Sequence, residues 1–400
     1  MGLTKTRPCG FLQSRSPRQT RHETMKILCV DIGTGTQDIL LYDSRVHIEN
    51  CYKLVAPSPT MMVRRRLQAA TRSRRPVLLT GMTMGGGPNM WAAQDHLQAG
   101  LPLYATPQAA RSFNDDLDVI RDMGIQVIAE EEADRLPEDV VRVSLRDFDF
   151  QAIVQAFGPF GVSLDDLAAV AVAVFDHGAA PPEISDRQFR FDFLARQIRR
   201  DDRLSTFAFL ADAIPAILTR MRAVAACAAG IDAPLVVMDT APAAILGATL
   251  DPRSRHDGDA LFANIGNLHT LSFRMREGRI RGLFEHHTGM LNRERLEHFL
   301  KALADGSLRH DEVFADHGHG AHLIDTTPLP ATPPLIVTGP RRQLLAGSAL
   351  HPYFATPFGD MMLAGCYGLL AATAERLPHL AEPILESLQG RAGRPPWETD

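Results

Sequence analysis

The sequence predicts an α/β protein with a duplicated, two-lobed body around a cleft. Three observations carry this reading. From Met25 onward, short apolar runs alternate with helical stretches. Two segments roughly 230 residues apart, VDIGTGTQDILLYD at 30–43 and ANIGNLHTLSFRM at 263–275, share one scheme of strand, acid or amide, Ile-Gly turn and strand. The chain has 400 residues, 45% of them apolar, enough for two domains or one large two-lobed body.

Taken in order, residues 1–24 are basic and polar, without the apolar centre of roughly 7 to 15 residues that a secretory signal needs. They are expected to form a disordered extension, with Met25 a candidate start. Strands are predicted at 26–31, 37–43, 46–53, 77–81, 168–176, 234–239, 260–264, 268–274 and 335–338, each a short apolar run bounded by turn residues. Helical periodicity marks 109–123, 186–200, 211–229, 291–304 and 359–375. Phe189, Phe193 and Leu194 read as the core stripe of the helix over 186–200. LIDTTPLPATPP at 323–334 is a proline-rich connector. The expected domains are a first lobe over 25–240 with an insertion near 85–165, a second lobe over 241–380, and a flexible tail over 381–400.

Composition narrows the function classes. A net charge of -5 gives no footprint for nucleic acid or an anionic membrane. No run approaches the roughly 18 apolar residues of a membrane span. Cys9, Cys29, Cys51, Cys227 and Cys366 are scattered, as reduced thiols in a cytoplasm would be.

The two turns carry chemistry. A glycine turn between strands aims several backbone N–H groups at one point, a nest suited to phosphate oxygens. Asp31, at the end of the first apolar run, is of the residue type that holds Mg²⁺, and Thr34 and Thr36 add hydroxyl donors. Two such turns facing each other would clamp a triphosphate, whereas either alone reads first as a structural hairpin.

Further segments follow in a telling order: VVMDTAPAAILGA at 236–248, LIVTGPRR at 335–342 and ATPFGDMMLAGCYGLL at 355–370. With the two turns, this order resembles the actin, Hsp70 and sugar-kinase superfamily of ATPases over most of residues 26–375. The resemblance implies a two-lobed, duplicated actin-like (ribonuclease H-like) fold with ATP and Mg²⁺ in the interlobe cleft. It makes Asp31 the magnesium-linked acid. Gly33, Thr34, Gly35 and Thr36 become the first phosphate loop, Gly266, Asn267 and Thr270 the second, and Gly339 and Pro340 the approach to adenosine. Asn264 stands where the superfamily usually has an acid, and Asn-Leu-His replaces a glycine-rich second loop, which weighs against conventional Mg-ATP hydrolysis.

More narrowly, GMTMGGGPN, VFDHG, FEHHTGML, GHGAH, VTGPRR and PFGDMMLAGCYGLL resemble a prokaryotic family labelled pyruvate formate-lyase activating enzymes. That label implies radical SAM chemistry, which needs three closely spaced cysteines on an iron–sulfur cluster. The chain has no such spacing, so the family resemblance is kept without that activity.

Other constellations are more open. TGMTMGGGPN at 80–89 reads as a ligand loop before a helix at 91–99, or as a flexible turn. Asp176 and His177 in VFDHG read as a base and its partner, or as a strand-end cap. His286 and His287, then His317, His319 and His322, with Asp316 or Glu285, read as a transition-metal site, a phosphate or substrate contact, or polar loops. Arg187, Arg190, Arg341 and Arg342 are candidate anion clamps.

The leading expectation is a cytoplasmic nucleotide-binding protein, an ATPase or small-molecule phosphotransferase, with Asp31, Asp176 and His177 as catalytic candidates. Metal candidates are Asp31, His286, His287, His317 and His319. The rival is a non-hydrolysing or metal-assisted binding protein, an accessory to another enzyme. A small-molecule substrate accompanies the nucleotide, neither nucleic acid nor membrane is a partner, and the protein partner is left open.

Overall fold

The computed structural model describes residues 24–254, 258–329 and 333–399, so the extension expected at 1–24 lies outside the described residues except for Thr24. Strands follow in chain order as β1 (Lys26–Ile32), β2 (Thr36–Asp43), β3 (Tyr52–Pro57), β4 (Val77–Gly81), β5 (Leu103–Ala105), β6 (Gln126–Val127), β7 (Val141–Leu145), β8 (Leu167–Val174), β9 (Ala208–Leu210), β10 (Leu235–Asp239), β11 (Asp259–Ile265), β12 (His269–Arg276), β13 (Arg279–His287), β14 (Gly320–Leu323), β15 (Leu335–Thr338) and β16 (Tyr353–Phe354). Among the described residues they form two six-stranded sheets, ordered β3-β2-β1-β8-β10-β9 and β14-β13-β12-β11-β15-β16, and a four-stranded sheet ordered β6-β5-β4-β7.

The two large sheets repeat one plan. Three antiparallel strands come first, β1-β2-β3 and β11-β12-β13. Two strands parallel to the first then extend each sheet, β8 and β10 in one, β15 and β16 in the other. This is the duplicated, two-lobed actin-like α/β fold. The echo reaches single hydrogen bonds: Gly33 N–H donates to Thr36 O at 2.9 Å, and Gly266 N–H to His269 O at 2.9 Å.

Both faces of the first sheet are covered, which is why its central strands read as continuous apolar runs rather than alternating ones. Ile27, Cys29 and Leu40 meet Tyr367 and Leu370 on one face, while Leu28, Val30 and Ile39 meet Phe157 and Val224 on the other. In the second sheet Leu271 and Phe273 meet Leu194 and Ile245, and Phe284 meets Leu296 and Phe299. The helix after β10, Thr240–Ala248, thus caps the second sheet, and the helix after β16, Ala364–Arg376, caps the first. These two helices cross through glycines: a Cβ on Gly247 would overlap Ala364 O, and one on Gly368 would overlap Ala243 O.

The four-stranded sheet is wholly parallel and has its own core of Leu79, Leu103 and Val143. It starts before the expected insertion, at β4. No helix among the described residues is long and apolar enough to cross a membrane.

Several expectations are corrected. The strand expected at 46–53 is a single turn at Ile48–Asn50 followed by β3, because buried Val46 and Ile48 pack under the sheet rather than within it. The helix expected at 109–123 breaks into Pro107–Ala110 and Leu117–Asp122, where Asn114 and Asp116 side chains accept local backbone N–H groups. The helix expected at 211–229 starts only at Thr219. β13 went unforeseen. The tail expected to be flexible forms a helix, Ala381–Leu388, since Ile384 and Leu388 make one apolar stripe and bury on the first sheet. Tyr42 OH donates to Pro383 O at 3.1 Å there and bonds Ser387 Oγ at 2.8 Å.

Gly247→Ala is expected to cost about 1–3 kcal/mol through overpacking at the helix crossing. Urea unfolding of the full chain measures it, with Gly230→Ala, where a Cβ would meet nothing, as the mild comparison.

Candidate functional site

A cavity of ≈ 370 Å³ opens where the three sheets converge. Gly33, Thr34 and Thr36 line it from the first turn, Gly266 and Asn267 from the second, and Gly339 and Pro340 from the turn after β15. The third sheet contributes Gly85–Gly87 and the broken helix region at Arg111–Asp115. The two hairpin turns meet directly. A Cβ on Gly35 would lie 2.8 Å from Asn267 Nδ2, so the first turn tolerates only a bare backbone at that contact.

Two buried carboxylates sit at the foot of the first turn. Register pairs Asp31 on β1 with Asp38 on β2. Thr240 Oγ1 donates to Asp31 Oδ1 at 2.6 Å. Burial pushes the Asp31 carboxyl up to about 7, against the Thr240 hydrogen bond and with repulsion from Asp239. Burial first, then the neighbouring Asp31, pushes Asp38 up to about 8, and Asp38 Oδ1 has no hydrogen-bond partner. No lysine or arginine pairs with either among the described residues. Two desolvated oxygen ligands without a protein cation fit a hard divalent ion such as Mg²⁺. Asn264, at the matching position of β11, also faces the cavity but brings no charge.

Behind the cavity lies Arg190, 1% exposed, on the helix Asp186–Arg200. Its Nε donates to both Glu285 oxygens at 3.0 Å, and its Nη1 to Asp239 Oδ2 at 2.6 Å and Asp176 O at 2.8 Å. Its guanidinium stacks 3.7 Å from the Phe175 ring centroid. Asp176 is similarly committed: Oδ1 accepts from Gly178 N–H at 2.8 Å and Oδ2 from Met221 N–H at 2.9 Å. Burial raises its carboxyl against the pull of those two amides. Arg220 reaches the cavity wall while forking onto Asp147 at 2.6 and 3.0 Å, which ties the third sheet to the first lobe.

The histidines sort by strand geometry. His177, after β8, His269, at the start of β12, and His319, before β14, bring one ligand nitrogen each within 4.8 Å of one another. His269 stacks on Phe175 at 4.1 Å. Burial holds His177 down at about 3 and keeps His269 and His319 well below the ordinary imidazole range, helped by neighbouring rings and arginines. All three are therefore neutral at physiological pH. His287 lies beside them, 5.0 and 4.9 Å from the His269 and His319 rings between centroids.

Other expected members do not join. On β13 successive side chains alternate faces, so Glu285 and His287 point to the cluster while His286 turns away, bonded to Asp316 Oδ2 and His287 O at 3.1 Å. His317 is exposed, and Thr270 turns from the cavity to bond Thr288 at 2.9 Å. Gly35 supports the turn contact rather than lining the cavity. Arg187 donates to Gly318 O, and Arg341 and Arg342 lie outside the lining. Sequence reasoning missed Asp38, Arg111, Arg220 and His269. Asp38 and His269 were visible signals, a lone acid in an apolar strand and a histidine closing the second turn.

Residues 84–344 match the family described as "Putative pyruvate format-lyase activating enzyme (DUF1786)". No curated protein matches the chain. Among solved structures, the chain is similar to an exopolyphosphatase-like protein at 10% identity, covering 79% of this chain and 66% of that one, with a TM-score of 0.24. The chain thus spans just under two thirds of that protein. A Ppx/GppA family member from Aquifex aeolicus gives 9% identity, 92% and 88% coverage and a TM-score of 0.27. The ROK hexokinase from Thermus thermophilus gives 12%, 92% and 98%, and 0.26. The four described cysteines are free, and none lines the cavity.

The carboxyls of Asp31 and Asp38 are held above their ordinary value of 3.8, at about 7 and about 8. A raised acid binds more protons folded than unfolded, so its stabilisation is full below about 4 and lost as pH rises through about 8. In chelator, thermal melts should therefore weaken over that window, and Asp38→Asn should flatten the decline. Arg190→Ala, which strands Asp239 and Glu285, is expected to cost about 3–5 kcal/mol in chemical unfolding.

Proposed function

This chain belongs to the DUF1786 family, and we propose that its interlobe cavity binds a nucleotide with Mg²⁺, as an ATPase or small-molecule phosphotransferase. The observation that carries the reading is the pair of turns, 33–36 and 266–267, facing one cavity from the two sheets with the same internal hydrogen bond. Their N–H groups would take the phosphates. Adenosine would lie toward Gly339 and Pro340. Asp31, with Asp38 beside it, would hold Mg²⁺ through its water shell, and the ion would supply charge neutralisation for a transferring phosphoryl group.

The acceptor's place is the wall made by Gly85–Gly87 and Arg111. Arg111 has no ion pair among the described residues and suits a carboxylate or phosphate on a small molecule. Asp176, with both oxygens taken by backbone donors, is assigned to holding the turn after β8 rather than to abstracting a proton. One observation favours a second reading, in which nucleotide is held without cleavage and the protein serves another enzyme: Asn264 replaces the carboxylate that β11 would offer.

MgATP at a hundred times its Kd should stabilise the full chain by about 2.7 kcal/mol. Asp31→Asn should weaken binding roughly tenfold or more by calorimetry. Silence at millimolar MgATP would sink the nucleotide reading, and binding without phosphate release would select the second reading over the first.

A further inference from the structure

We propose that His177, His269 and His319 form a divalent transition-metal centre, zinc foremost, whose open coordination position faces the interlobe cavity. The inference does not rest on the nucleotide reading, which puts neither phosphate nor Mg²⁺ on these three rings. Three elements deliver the three rings: the end of β8, the start of β12 and the residue before β14. Their ligand nitrogens already lie within 4.8 Å of one another. Nitrogens on one tetrahedral zinc at about 2.1 Å sit roughly 3.4 Å apart, so loading draws the farthest pair in by no more than roughly 1.4 Å.

The second observation is an orphaned donor set. His319 is wholly buried, yet neither ring nitrogen has a hydrogen-bond partner, and His269 Nδ1 has none either. Buried polar atoms are satisfied in the great majority of cases, and an ion between the rings would satisfy His319 Nε2. The orientation is also supplied. Glu285 Oε1 lies 3.6 Å from His269 Nδ1 and 3.5 Å from His319 Nδ1, which leaves the two Nε2 atoms for the metal. A carboxylate behind the second ring nitrogen is the usual support of a ligating histidine. Glu285 is not free to be a ligand itself, because Arg190 forks onto it. The nearby positive charge of Arg190 is offset by Glu285 and Asp239.

Three imidazoles without thiolate suit zinc and its first-row neighbours rather than magnesium, which separates this centre from the Asp31 and Asp38 pair. A structural zinc site closes with four protein ligands, whereas three leave a position for water or substrate. His177 and His269 line the cavity and His319 lies behind them, so that position opens toward the acceptor wall.

The test loads the full chain, stripped with chelator, with Zn²⁺ or Co²⁺ and reads metal content by mass spectrometry after dialysis. One zinc per folded chain is expected, together with the visible absorption of nitrogen-ligated Co²⁺. His177→Ala, His269→Ala and His319→Ala should each abolish retention, Glu285→Gln should weaken it about 10–100-fold, and His317→Ala should retain it fully. X-ray absorption at the zinc edge of the unmodified protein, expected to show three imidazoles, decides the matter if the alanine variants do not fold. Failure to retain zinc, full retention in the folded variants, or a carboxylate or thiolate shell would overturn the proposal. MgATP titration of the stripped protein reports on the nucleotide reading separately.

Discussion

One buried guanidinium organises this protein. From its helix Arg190 binds the ends of β8 and β10 in the first sheet and the C-terminal end of β13 in the second, so a single guanidinium ties the two halves together. Its charge is sealed from water and answered by Asp239 and Glu285. A buried ion network of this kind is seldom the cheapest way to gain stability; hydrophobic packing of the same volume commonly does as well. What it supplies here is position: Phe175, His269, His319 and Asp176 all touch the arginine or one of its partners.

Around that fork the two halves are alike in backbone and unlike in chemistry. Their turns share one hydrogen bond, yet the first sits above two carboxylates and the second beside an amide and a histidine. The cavity therefore has a hard, oxygen-rich end and a soft, imidazole-rich end.

The fold was legible where local chemistry decides: glycine turns, apolar strand runs and the capped helix over 186–200 announce themselves within a few residues. The site was legible only in part. Histidines adjacent in sequence, at 286 and 287, part company because a strand alternates faces, while 177, 269 and 319 meet because three strand ends converge. β13, whose arginines interrupt its apolar positions, left no clear run to recognise. Arg190 read as an anion clamp because its charge was visible and its two acidic partners, 49 and 95 residues away, were not. Asp38 hid in plain view, since a lone acid in a strand gains meaning only from the cross-strand neighbour at Asp31.

The exchanged helices bear on how the molecule is made. The first sheet is synthesised early, but one of its faces stays bare until Ala364–Arg376 and then Ala381–Leu388 arrive; Tyr42 waits for partners more than 340 positions downstream. Contacts of such sequence separation carry a large loop-closure cost and slow the approach to the native state. A ribosome-bound chain must therefore hold an apolar surface in water for nearly the whole of its translation. Each sheet takes a covering helix from beyond its own strands, and dividing this gene between its sheets would leave the first without a wall.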